Sequence, residues 1–127
     1  MPSFHRNLGD LYFDDFKLDY AIAEYKAAIG QDSRDLVAYK NMGFACHMCG
    51  ICDRPGGYEE AAAAFVRALE LSPSDAEALY GLGISYESLG DTDKAFNVYF
   101  KLKALDEVWA NRLLEDLVKE NSSREEI

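Results

Sequence analysis

Apolar and polar positions along this chain follow the period of a helix, and three stretches carry the same arrangement. Leu8-Gly9-x-x-Tyr12, Met42-Gly43-x-x-Cys46 and Leu82-Gly83-x-x-Tyr86 each join a large apolar residue, a glycine and a bulky or buried-type residue. Each is followed by an alanine and, four places on, an aromatic: Ala21 and Tyr25, Ala61 and Phe65, Ala95 and Tyr99. Apolar residues at i, i+3, i+4 and i+7 form one stripe along a helix. Strict alternation of apolar and polar residues never runs beyond a few positions, so no strand is predicted.

The spacing is regular apart from one interruption. Leu8 to Ala21 and Leu82 to Ala95 each span 13 residues, whereas Met42 to Ala61 spans 19, so the middle copy carries six extra residues. Gly9 to Gly43 is 34 residues and Gly43 to Gly83 is 40, the same period plus that insertion. A glycine inside a helix costs about 1 kcal/mol relative to alanine. Its recurrence in the stripe predicts a neighbouring helix too close for a Cβ, with the alanine as the matching small surface. Two such helices make a hairpin, and copies of the hairpin stack because none can bury its apolar face alone. The punctuation agrees: Ser33-Arg34-Asp35, Ser72-Pro73-Ser74-Asp75 and Leu89-Gly90-Asp91 each stop one helix and cap the next. Beyond the third copy, residues 107–121 predict a seventh helix. Its apolar residues Trp109, Ala110, Leu113, Leu114, Leu117 and Val118 cover roughly 180°, wider than the ~100° an edge helix needs. It is expected to cap the last repeat, with the surplus at Leu114 and Val118 as a candidate self-association face.

These columns, with the terminal Pro73, resemble the tetratricopeptide repeat family. The resemblance implies a single all-α domain over residues 1–121, a right-handed superhelical solenoid of three helical hairpins plus one capping helix. Its repeats would be 2–35, 36–75 (with the insertion at 51–56) and 76–109, followed by capping helix 107–121 and a flexible tail, 122–127. The chain departs from the family in places. His5, Tyr39 and Leu79 occupy a column usually held by Trp, Ser33 and Glu107 replace the proline, and Cys46 stands where an aromatic is usual. Packing columns tolerate such exchanges.

In a stack of this kind the first helix of each pair lines the inner surface. The residues offset from the packing stripe are Arg6, Asp10 and Phe13; Lys40, Asn41, Phe44, His47 and Met48; and Glu77, Tyr80, Ile84 and Glu87. Large apolar residues on a face not needed for packing suggest an interaction surface. The resemblance implies that this concave groove holds a peptide or protein segment. One subclass of the family grips a terminal carboxylate with a clamp of cations and asparagines. Only Arg6 and Asn41 fit those columns here. Asp10 stands where an asparagine belongs, and Glu77 and Gly81 replace two cations, so like charge opposes an acidic ligand.

Composition narrows the partners. The 127 residues, 49% hydrophobic and 28% charged, suit one globular domain. The net charge of -10 is spread along the chain, which disfavours nucleic acid and anionic membrane. A basic peptide is compatible with it, as is a simple role in solubility. Asp10, Asp14 and Asp15 fall where a signal peptide would be apolar, and the longest apolar run, residues 61–66, is too short to span a bilayer. A cytoplasmic location and no membrane insertion are therefore expected. Asn121-Ser122-Ser123 matches a glycosylation acceptor by chance in such a chain.

Candidate chemistry is sparse. Cys46, Cys49 and Cys52, with His47, have the spacing of soft-metal ligands, but the sequence holds no fourth cysteine. Cys46 falls in a packing column and Cys49 on a similar face, so both also read as small buried hydrophobes. A metal- or redox-responsive regulator using this cluster is the alternative function. No metalloprotease or phosphate-loop motif occurs, and Gly81-x-Gly83 lacks the third glycine and preceding strand of a dinucleotide site. Asp14-Asp15 and Glu59-Glu60 are expected as solvated helix ends. A non-catalytic scaffold with no cofactor is the reading these residues favour.

Overall fold

The computed structural model describes residues 3–125, with side chains described through Lys119. These residues form α1 (Phe4–Asp14), α2 (Leu18–Gln31), α3 (Leu36–Ile51), α4 (Gly57–Leu71), α5 (Ala76–Ser88), α6 (Thr92–Leu105) and α7 (Glu107–Glu125). Among the described residues there is no strand. The helices pair as α1/α2, α3/α4 and α5/α6, each pair packs on the next, and α7 lies across α5 and α6. The result is an all-α helical repeat of three hairpins closed by a seventh helix.

Local chemistry sets the boundaries. Asp35, Asp75 and Asp91 are N-caps whose carboxylates accept from the backbone N–H of Ala38, Ala78 and Lys94 at 3.1, 2.9 and 3.2 Å. A cap of this kind contributes about 1 kcal/mol. Asp106 does the same for α7, accepting from Val108 and Trp109. Gly90 ends the α5 turn with φ +83, a left-handed conformation that costs glycine nothing. All three turns predicted from the sequence occur where expected.

The alanines Ala21, Ala61 and Ala95 are fully buried, as the hairpin pattern requires. The recurring glycines do meet close neighbours, but those neighbours are not the alanines. A Cβ on Gly9 would lie 2.7 Å from the Tyr25 ring, and one on Gly43 would lie 2.7 Å from Phe65. In the third copy Gly83 faces Leu113 of α7 at 2.7 Å. Each glycine thus seats a large side chain of another helix.

Two expectations need correction. The insertion does not begin at residue 51: counted from the column glycine, α1 and α5 end after five residues and α3 after eight. Three of the six extra residues, 49–51, are therefore another turn of helix. The others lengthen the turn at 52–56 and start α4, where Gly57 packs so tightly that a Cβ would lie 2.5 Å from the Gly50 nitrogen. The seventh helix also continues past 121 to Glu125, so residues 122–125 of the predicted tail are helical. Residues 126 and 127 lie outside the described residues. On α7, Leu113 and Leu117 are fully buried, Leu114 is partly buried against the core, and Val118 is 52% exposed.

Candidate functional site: a groove across the first helices

Helical spacing places Asp10, Phe13 and Asp14 on one face of α1, and Asn41, Phe44, His47, Met48 and Ile51 along one face of α3. Together with Tyr80 and Ile84 of α5, and Tyr25 from α2, they line an open groove of about 650 Å³. The lining is apolar apart from a few fixed polar groups. Asp10 Oδ1 accepts from the Tyr25 hydroxyl at 2.6 Å and from the Asn41 side-chain amide at 2.9 Å, so three helices meet at one carboxylate oxygen. Burial, reinforced by the bond to Asp10, pushes the Tyr25 hydroxyl far above its usual range, so it remains a donor. Phe44 stands edge-on to the buried Phe65 ring with centroids 4.8 Å apart.

The α5 side is tied to the capping helix. The Tyr80 hydroxyl donates to Asp116 of α7 at 2.6 Å, and its ring lies 5.2 Å from Trp109. Burial first and Asp116 second raise the Tyr80 pKa. His47 packs against the Tyr58 ring at 5.2 Å and faces the Ser88 hydroxyl at 3.4 Å. Burial holds its pKa below 6.5, with Asp116 opposing, so it is neutral at neutral pH.

Four residues expected in the groove are elsewhere. Arg6 donates to Asp35 at 2.7 Å, and Lys40 pairs with Asp75 at 3.1 Å and Glu77 at 3.6 Å. Arg6 and Lys40 hold the same place, three residues before the column glycine. Each reaches the N-cap aspartate of the next hairpin, so they link repeats instead of facing a ligand. Glu77 sits with Lys40 in that network. Glu87 is only 3% exposed and lies beside Leu117 and Lys119 of α7, which covers the end of the inner face. The groove residues missed from sequence are Asp14, Tyr25 and Ile51. Asp14 lies one turn beyond Asp10 on the same face, Tyr25 reads as a packing residue of the second helix, and Ile51 falls at the start of the predicted insertion.

Family models support the repeat directly. One described as a TPR repeat matches residues 56–90, and one described as a tetratricopeptide repeat matches residues 76–107. Residues 56–107 thus carry tetratricopeptide repeats. Tetratricopeptide structures share its fold. The first TPR of Spaghetti (RPAP3), bound to the HSP90 peptide SRMEEVD, is 21% identical with TM-score 0.80, covering 94% of this chain and 89% of that one. The second TPR of the same protein, bound to the same peptide, is 22% identical with TM-score 0.72, covering 80% and 89%. MamA AMB-1 is 24% identical with TM-score 0.72, covering 81% of this chain and 57% of that one. No curated protein sequence matches.

The middle hairpin differs from the other two in its cysteines and its lengthened turn. The four candidate metal ligands do not converge. Cys46 and Cys49 are buried, Cys52 is exposed, and His47 turns into the groove. The Cys46 Sγ lies 3.7 Å from the Glu60 carboxylate, and burial followed by Glu60 pushes its pKa up to about 12. Burial, then Cys52 and Glu60, raises Cys49 as well. Thiols held protonated are poor ligands and slow nucleophiles. Among the described residues no three His, Cys, Asp or Glu side chains are grouped as metal ligands would be, and no helix is long and apolar enough to cross a membrane. Arg54 of the lengthened turn is ion-paired with Asp19 of α2 and lies 3.8 Å from the Cys49 Sγ, pinning the insertion to the first hairpin.

Proposed function

We propose that this tetratricopeptide repeat chain is a non-catalytic interaction module that holds a peptide or protein segment in the groove between α1, α3 and α5. The observation that carries the reading is the groove itself. Phe13, Phe44, Met48, Ile51 and Ile84 line about 650 Å³ of open concavity, with a few oriented polar groups between them. Two structurally similar tetratricopeptide domains, the first and second TPR of Spaghetti (RPAP3), are bound to a peptide. The mode of binding proposed here differs from a carboxylate clamp. Arg6 and Lys40 are committed to Asp35 and Asp75, and Asp10 presents a carboxylate where an acidic terminus would have to approach.

Selection of peptides from a displayed random library against the immobilised chain tests this reading. Enriched peptides should lose about tenfold or more in affinity for the double variant Phe13→Ala/Ile51→Ala, since buried apolar anchors dominate such interfaces. Circular dichroism checks that the variant is folded. Enriched peptides that bind the folded double variant as well as wild type, or a selection that enriches nothing, would refute the groove.

A further inference from the structure

The chemistry of the groove goes further and selects among segments it could hold. Its charged lining is of one sign: Asp10 and Asp14, one helical turn apart on α1, contribute the two carboxylates, and no lysine or arginine lines it. Among the described residues neither carboxylate is ion-paired with a cation. Asp10 is held by two neutral donors, Tyr25 and Asn41, which fix its position and leave its charge in place. Around it the wall is mostly apolar, and a charge beside apolar protein surface acts more strongly than one in bulk water. The nearby cations Arg6 and Lys40 are consumed by the links between repeats. Finally, the extra helical turn created by the insertion carries Ile51, half exposed, into the groove lining.

We infer that the partner of this groove is a cationic, amphipathic peptide segment. A lysine or arginine of the segment sits at Asp10 and Asp14, and an apolar side chain of the same segment lies against Phe13 and Ile51. The inference rests on the reading of the groove as a peptide site and deepens it by fixing the partner's charge. It also gives the insertion a role, because without the added turn of α3 the groove loses its Ile51 contact.

Fluorescence anisotropy with two labelled peptides of equal length tests the inference. One is built of repeating Lys-Leu-Ala units and the other has every lysine replaced by glutamate; labelled SRMEEVD serves as a second acidic probe. The lysine peptide should bind, and both acidic probes should bind at least about tenfold more weakly. Asp14→Lys should weaken the lysine peptide about fivefold or more, whereas Glu115→Lys, an equal change in net charge on the exposed side of α7, should leave it nearly unchanged. Equal losses in the two variants would mean attraction to net charge alone and would overturn the inference. If lysine and glutamate peptides bind equally and Phe13→Ala/Ile51→Ala weakens both, the groove stands and the cationic partner falls. Failure of all three probes to bind also removes the cationic partner, while the library selection judges the groove independently.

Discussion

Phe16 shows what a single backbone angle can reveal. It has φ +58, in the left-handed region, and stands seven residues past the column glycine, where the third copy has Gly90 at φ +83. An L-residue there bears roughly 1–2 kcal/mol that glycine escapes. Comparing Phe16→Gly with Phe16→Ala isolates this strain, since both remove the ring. We expect Phe16→Gly to be the more stable by about 1 kcal/mol in thermal unfolding, the reverse of the ranking at an ordinary helical site. His47 makes a different residue-scale prediction. Its folded pKa lies below 6.5, so as the pH falls the unfolded chain takes up the proton first. Stability that is whole above about 6.5 should decline below it, and level off once folded His47 is also protonated. Between about pH 7.5 and 5.5 the wild type should therefore lose more melting temperature than His47→Gln. Equal losses would show that His47 titrates alike in both states.

At the scale of elements, the hairpins are joined by a device the sequence shows only in half. Asp35 and Asp75 were legible as N-caps from their position after a helix stop. That each also receives a cation from the preceding hairpin was not legible, because reach across a repeat boundary depends on how the hairpins stack. Arg6 and Lys40 consequently read as groove residues. The Lys40 and Asp75 side chains are 16% and 15% exposed, buried enough for the pair to matter. In a double-mutant cycle, Lys40→Met and Asp75→Asn, which keeps an oxygen for the Ala78 cap, should show a coupling of about 1 kcal/mol or more. Additive losses would mean that the link contributes nothing to stability. The other elements missed from sequence share a cause. The end of α3 reads as the start of a loop at Ile51 because Gly50, Pro55, Gly56 and Gly57 crowd the segment. Yet Gly50 and Gly57 serve as a contact between two helices, with a Cβ on Gly50 placed 2.6 Å from the Tyr58 ring.

For the whole molecule, the periodic glycines, alanines and caps made the seven helices and their pairing readable, because those features are local and recur in register. The groove was readable wherever it lies on the unpaired face of a regular hairpin, as at Asp10, Phe13, Asn41, Phe44 and Ile84. It was not readable where a distant element decides exposure: the path of α7 buries Glu87 and brings Asp116 to Tyr80. The Phe65 ring is wedged between two repeats, since a Cβ on Gly43 would lie 2.7 Å from it and one on Gly81 only 2.3 Å. In a linear array each unit is stabilised by its own fold and by its seam with the next. A ring shared in this way cannot be released by one side while the other stays ordered. The second and third hairpins are in this sense riveted, and they are expected to melt as one cooperative block.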